Sequence, residues 1–110
     1  VFVVCNLSID PGARCDFLTG ALNHTGNDAY DLVCGGLVID TFGRIGEDPG
    51  TQWTDGTLGT AQFVLTRRCA VTIGDTVGSD PFNPVTEWQG AAWVDPPTSH
   101  TGLGNHDECP

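Results

Sequence analysis

The chain contains no lysine and no methionine, and its four arginines face fourteen acidic residues. At a formal charge of −10, both nucleic acid and anionic lipid repel it, so unassisted binding to either surface is disfavoured. No apolar run approaches the ~20 residues that a membrane-spanning helix needs. No two cysteines stand at CxxC spacing, which argues against a zinc knuckle, a thioredoxin-type motif or haem attachment. The serines, Ser8, Ser79 and Ser99, lie outside any G-x-S-x-G elbow, and no glycine-rich phosphate loop of the P-loop type is present. No segment carries the apolar stripe of an amphipathic helix, and no repeat recurs at a fixed period.

What is present is cysteine, glycine and turn chemistry. Five cysteines, Cys5, Cys15, Cys34, Cys69 and Cys109, are scattered through 110 residues. In a small acidic chain this reads as a disulfide framework, hence an extracellular or particle-surface setting. The odd number leaves one thiol over and the pairing open, with buried reduced thiols as the plainer alternative. The pairing expected here joins Cys5 to Cys109, tying the ends together; in the chain-entropy model a loop that long contributes roughly 4–5 kcal/mol. Two glycosylation sequons, at Asn6 (Asn6-Leu7-Ser8) and Asn23 (Asn23-His24-Thr25), agree with secretion.

The periodicity is that of strands. Val1, Val3, Cys5, Leu7 and Ile9 share one side of an extended segment, which Asp10-Pro11-Gly12 ends. A second run covers 15–22. In Asp31–Asp40 two apolar arms flank Gly35-Gly36; a hairpin and one long kinked strand compete, and the shortness of the arms favours the single strand. Residues 46–60 form a glycine-rich loop around Trp53. Ala61–Ile73 reads as a strand with a bulge or bend at Arg67-Arg68, and Val85–Val94 as a last long strand bearing Trp88 and Trp93. From Asp95 an irregular tail runs to Pro110. Strands separated by Gly, Pro and Asp turns predict an all-β fold: a single antiparallel β-sandwich or small barrel over 1–110, stapled by disulfides, with tail 95–110.

The side chains that carry chemistry are sparse. His24, His100 and His106 lie in expected loops, and the glutamates are Glu47, Glu87 and Glu108. His100, His106, Asp107 and Cys109 match no standard zinc spacing, and the aspartate-rich loops 47–55 and 75–80 lack an EF-hand arrangement. No metal or cofactor is expected. A tryptophan in a glycine-rich loop suits a contact surface, so Trp53, Trp88 and Trp93 are the candidate binding residues for a protein or carbohydrate partner, with core anchoring as the alternative.

One stretch, Ser99-His100-Thr101-Gly102-Leu103-Gly104-Asn105-His106-Asp107-Glu108-Cys109, resembles the end of the small fungal guanyl-specific ribonucleases. The resemblance implies a secreted hydrolase in which His100 is the general acid and Glu87, beside Trp88, is the catalytic glutamate. Arg67 or Arg68 would then supply the phosphate-binding cation. It covers about a tenth of the chain; the family's early helix, its tyrosine-rich guanine loop and its arginine-bearing strand between Glu87 and His100 have no counterpart here. The reading from the residues themselves is a non-catalytic surface module that acts through contacts, as a subunit of a surface assembly or as a binding domain. An exposed edge strand such as Val1–Ile9 suits pairing with another copy.

Overall fold

A computed structural model describes residues 4–6 and 15–92. Among them the regular structure is almost wholly strand, joined by long turns and loops: β1 (Val4–Asn6), β2 (Phe17–Thr19), β3 (Tyr30–Cys34), β4 (Leu37–Phe42), β5 (Phe63–Arg67) and β6 (Trp88–Ala92), with one helical turn, α1 (Pro84–Glu87), before the last. The all-β class therefore holds. The strands pair as three two-stranded sheets, β1–β2, β3–β4 and β5–β6, and no sandwich closes among the described residues. The chain divides into two compact units, Val1–His24 with Val94–Pro110, and Thr25–Trp93. The expected C-terminal tail, Trp93, His100, His106 and Cys109 lie outside the described residues.

In the first unit β1 and β2 run parallel, Val4 opposite Phe17 and Asn6 opposite Thr19, where an antiparallel sheet was expected. A parallel pair cannot be joined by a tight turn, and ten residues, 7–16, separate these two strands. The Asn6 side-chain amide donates to the Leu22 carbonyl.

In the second unit, Gly35-Gly36 make a hairpin, which corrects the single long strand favoured above. Both glycines have positive φ, 58° and 80°, the pattern of a type I′ turn whose twist matches the flanking strands. The arms are longer than the apolar runs suggest, because pairing continues through polar residues to Tyr30–Phe42. Asp31 and Thr41 face each other there, and the Thr41 hydroxyl donates to Asp31 Oδ1 at 2.9 Å. The register shifts between Leu32 and Val33, leaving Ile39 as a bulge.

The remaining sheet is antiparallel without a shift, Phe63 opposite Ala92 and Arg67 opposite Trp88. Two expectations change here. The strand ends at Arg67 instead of running on to Ile73, and Val71 N–H closes a turn on the Arg68 carbonyl at 2.9 Å. The expected strand Val85–Val94 begins as helix: Asn83 caps α1 by accepting from Val85 N–H, and Pro84 stands in its first turn, where a missing N–H costs nothing.

Among the described residues the core is small and aromatic. Trp53 and Leu58 are buried with Pro84. Trp53 meets Phe82 edge-on at 5.6 Å, Phe82 lies 5.0 Å from Phe42, and Phe42 meets Trp88 edge-on at 5.3 Å. These rings tie loop 46–60, the segment before α1, the hairpin base and β6 together, each pair adding roughly 0.5–1.5 kcal/mol beyond its burial.

Candidate functional site

Two places stand out, both in the second unit, and the first carries residues singled out from the sequence. The first is centred on Arg67, the last residue of β5. Its guanidinium lies 5.0 Å above the ring of Trp88, the cross-strand partner. It grips the Asp40 carboxylate of β4 in two-pronged fashion, Nη2 reaching Oδ1 at 2.9 Å and Nη1 reaching Oδ2. Nη2 also donates to Glu87 at the end of α1. Asp40 accepts two further bonds, from the backbone N–H of Thr41 at 3.0 Å and of Asp75 at 2.9 Å. Partial burial pushes the Asp40 carboxyl up, but the Arg67 and backbone hydrogen bonds outweigh it and hold the group below the usual carboxylate range. The same contacts, Asp40 foremost, raise Arg67 further above its already high value.

Arg68 is occupied differently. Its Nε donates to the Val85 carbonyl at 3.0 Å and its backbone N–H to the Glu87 carbonyl at 2.7 Å. Both arginines therefore clamp α1 and the start of β6 onto β5. Of the residues implied by the ribonuclease resemblance, Arg67, Arg68 and Glu87 come together, while His100 is outside the described residues. Their arrangement suits architecture better than phosphate binding. The Arg67 guanidinium is taken up by the carboxylates of Asp40 and Glu87 and the Arg68 Nε by the Val85 carbonyl, so both are already engaged within the fold. Asp40, which completes the cluster, was not among the sequence candidates; nothing in a spacing of 27 residues links it to Arg67 before the sheets are placed.

Of the candidate tryptophans, Trp53 and Trp88 are described, and neither is fully exposed. Trp53 is only 4% exposed, and its indole N–H donates to the Asp28 carbonyl at 3.1 Å. Loop 46–60 closes over it instead of presenting it, because short polar side chains order the loop. Asp55 Oδ1 accepts from the N–H groups of Thr57 and Leu58, both at 2.9 Å, and Thr54 Oγ1 donates to the Leu58 carbonyl at 2.8 Å. Those bonds hold the Asp55 carboxyl below its ordinary value. Trp88 is half-buried under Arg67, and its indole N–H finds no hydrogen-bond partner among the described residues. The acidic loops follow the same logic as Asp55: Asp48 and Asp75 accept from the N–H of Gly50 and Val77, two residues on. Among the described residues no three His, Cys, Asp or Glu side chains are gathered to hold a metal.

The second place is the tip of the β3–β4 hairpin, which tryptophan-based reasoning missed. Opposed residues share a face, so Tyr30, Leu32 and Cys34 line up with Phe42, Asp40 and Leu37. The base of that face enters the aromatic core through Phe42 and the Arg67 cluster through Asp40. Beyond the base, Leu32 and Leu37 on this face, Val33 on the other and Ile39 at the bulge remain between 44% and 71% exposed. Cys34 at the tip is exposed and free, whereas Cys15 and Cys69 are disulfide-bonded. The signal was present in the sequence as eight uncharged residues, Leu32–Ile39, centred on the glycine pair. The expected Cys5–Cys109 pairing falls outside the described residues.

Compared with protein families, curated proteins and solved structures, the chain has no match. Among the described residues no helix is long and apolar enough to cross a membrane.

Proposed function

We propose that this chain is a non-catalytic β module of the extracellular space or of a particle surface, acting through protein contacts made by the β3–β4 hairpin. The observation that carries the reading is the exposed aliphatic tip. A chain with a small core leaves four large apolar side chains of one element in water, a pattern that marks interaction surfaces. Sugar rings stack on aromatic faces and the tip has none, which favours a protein over a carbohydrate partner. Disulfide-bonded Cys15 and Cys69 support the oxidising setting. The closure of the strands into a sandwich or small barrel, and a staple from Cys5 to Cys109, belong to the same proposal. So does glycosylation, for which Asn23 in an exposed loop is better suited than Asn6, whose amide is engaged with Leu22.

The test is a charge placed on the tip. Leu37→Asp is expected to leave the unfolding free energy measured in urea within about 0.5 kcal/mol of wild type, as for surface substitutions elsewhere. A loss of about 2 kcal/mol or more would mean the tip is needed inside the fold and would end the contact reading. The rival hydrolase reading is decided separately by incubating the chain with RNA on a gel. No cleavage above the buffer blank is expected, given that Arg67 and Arg68 are engaged by Asp40, Glu87 and the Val85 carbonyl, and cleavage lost in Glu87→Gln would reverse the choice.

A further inference from the structure

We propose that Asp55-Gly56, in the loop that covers Trp53, is a latent isomerisation site: it converts to isoaspartate only when loop 46–60 opens, and the converted loop no longer closes over the indole. Asp-Gly occurs once in the chain and Asn-Gly nowhere. The pair is prone to cyclise because glycine has no side chain to shield its backbone nitrogen or restrict its approach. Gly56 stands at φ +95° with open space where a Cβ would be. In the reaction the Gly56 nitrogen bonds to Asp55 Cγ, and the amide hydrogen leaves with the carboxyl hydroxyl as water. A second water then opens the five-membered imide. Its attack at the Asp55 main-chain carbonyl breaks the original C–N bond, and the chain afterwards runs through Cβ and Cγ.

The closed loop opposes each requirement of that step. The Gly56 N–H that must be lost donates to Thr54 Oγ1 at 2.9 Å. The carboxyl that must swing onto it is held through Oδ1, which accepts from Leu58 N–H and Thr57 N–H, both at 2.9 Å, and from the Thr57 hydroxyl at 2.8 Å. The same donors keep its pKa below the ordinary carboxylate range, and an ionised carboxylate has no hydroxyl to surrender. Cyclisation therefore proceeds from the opened loop, at a rate set by how often it opens. The product cannot restore the arrangement. Isoaspartate adds one carbon to the main chain and shortens the arm that carries the carboxylate, so that group no longer reaches both Thr57 and Leu58. Leu58 and Trp53, buried beneath the closed loop, then lose their cover.

Trypsin cuts this lysine-free chain after arginine, so Arg44 and Arg67 bound a peptide, 45–67, that contains no cysteine or asparagine. Its other aspartate, Asp48, precedes Pro49, whose nitrogen has no hydrogen to lose. Isoaspartate in that peptide therefore reports on Asp55 alone. The full chain is incubated near neutral pH, either native with its disulfides intact or unfolded in guanidinium with the bridges reduced. The peptide is then analysed by mass spectrometry with electron-transfer fragmentation, which separates the two isomers. The native chain should convert roughly tenfold more slowly or slower still, the ratio that a loop-opening cost of about 1.4 kcal/mol sets. Thr54→Val removes the acceptor of the Gly56 N–H, and Thr57→Val removes one donor to Oδ1. Each should speed conversion in the native chain and leave the unfolded rate unchanged. Equal rates for native and unfolded wild type, or no acceleration in either variant, overturn the gating by the loop. The isomerised chain, refolded with its bridges re-formed, should have more of its indole emission quenched by acrylamide than unconverted chain carried through the same steps. Equal quenching overturns the loss of closure.

Discussion

The side chain on which most of the second unit converges is Arg67, because one planar guanidinium meets two carboxylates and an indole from three elements. Removing it is costly for what it leaves behind. Arg67→Met puts Asp40 and Glu87, both mostly shielded from water, face to face without a cation, and is expected to cost roughly 3 kcal/mol in urea unfolding. Asp40 also makes stability depend on pH in a definite direction. Its carboxyl lies below its ordinary value in the folded chain, so acid is taken up first by the unfolded state. The stabilisation is complete above the ordinary aspartate value of about 4 and is lost as pH falls through the lower folded value. Wild type should weaken on acidification below about pH 5, and Asp40→Asn, less stable at neutral pH, should show a shallower decline. Equal slopes for the two proteins would count against this role. Tyr30 lies at the other extreme, its phenol pushed up to about 12 by burial and by the charge of Asp28, so it keeps its proton throughout this range.

At the level of elements, the hairpin and the segment after it depend on glycine for two different reasons. Gly35 and Gly36 turn the chain through positive φ with open space around them. Gly74 instead lets the backbone pass directly against β4: a Cβ there would lie 2.1 Å from the Ile39 carbonyl oxygen, and the next residue, Asp75, donates its N–H to Asp40. Gly74→Ala is therefore expected to cost roughly 2–3 kcal/mol, since backbone must move to admit the methyl group. Gly46→Ala, at φ +87° with nothing within 4 Å, should cost only the conformational strain, about 1 kcal/mol. Urea midpoints of the two variants would separate close approach from strain, and a ranking in the opposite order would refute the account of Gly74. The one-turn helix α1 is likewise locally determined, by the Asn83 cap and Pro84, and its position brings Glu87 to Arg67.

For the molecule as a whole, the deciding quantities are the small aromatic core of the described residues, disulfide-bonded cysteines and a charge of −10 that pushes the chain apart. So small a core gives the covalent links a large share of the stability. Reducing the bridges at Cys15 and Cys69 should lower stability by roughly 2–5 kcal/mol per bridge. A thermal scan with and without reductant would show it as a Tm lowered by about 10 °C or more, or as a chain already unfolded; an unchanged Tm would show the bridges to be idle. Added salt, by screening self-repulsion, should raise the Tm of the reduced chain.

The sequence alone determined the strand-rich class, the disposition of turns and the sign of the surface charge. These depend on alternation, on glycine, proline and aspartate, and on counting, all of which act within a few residues. It also contained the hairpin, in Gly35-Gly36, and the helix start, in Asn83-Pro84; the hairpin was misjudged because its pairing continues through Asp31 and Thr41, beyond the apolar arms. Only the tertiary structure decided which long-range partners meet. Asp40 reaches Arg67 across two different sheets, loop 46–60 folds over Trp53, and Leu32 and Leu37 are left in water. Such choices turn on which distant surfaces pack together, and hydrophobicity along the chain does not distinguish an apolar residue that finds a neighbour from one that does not.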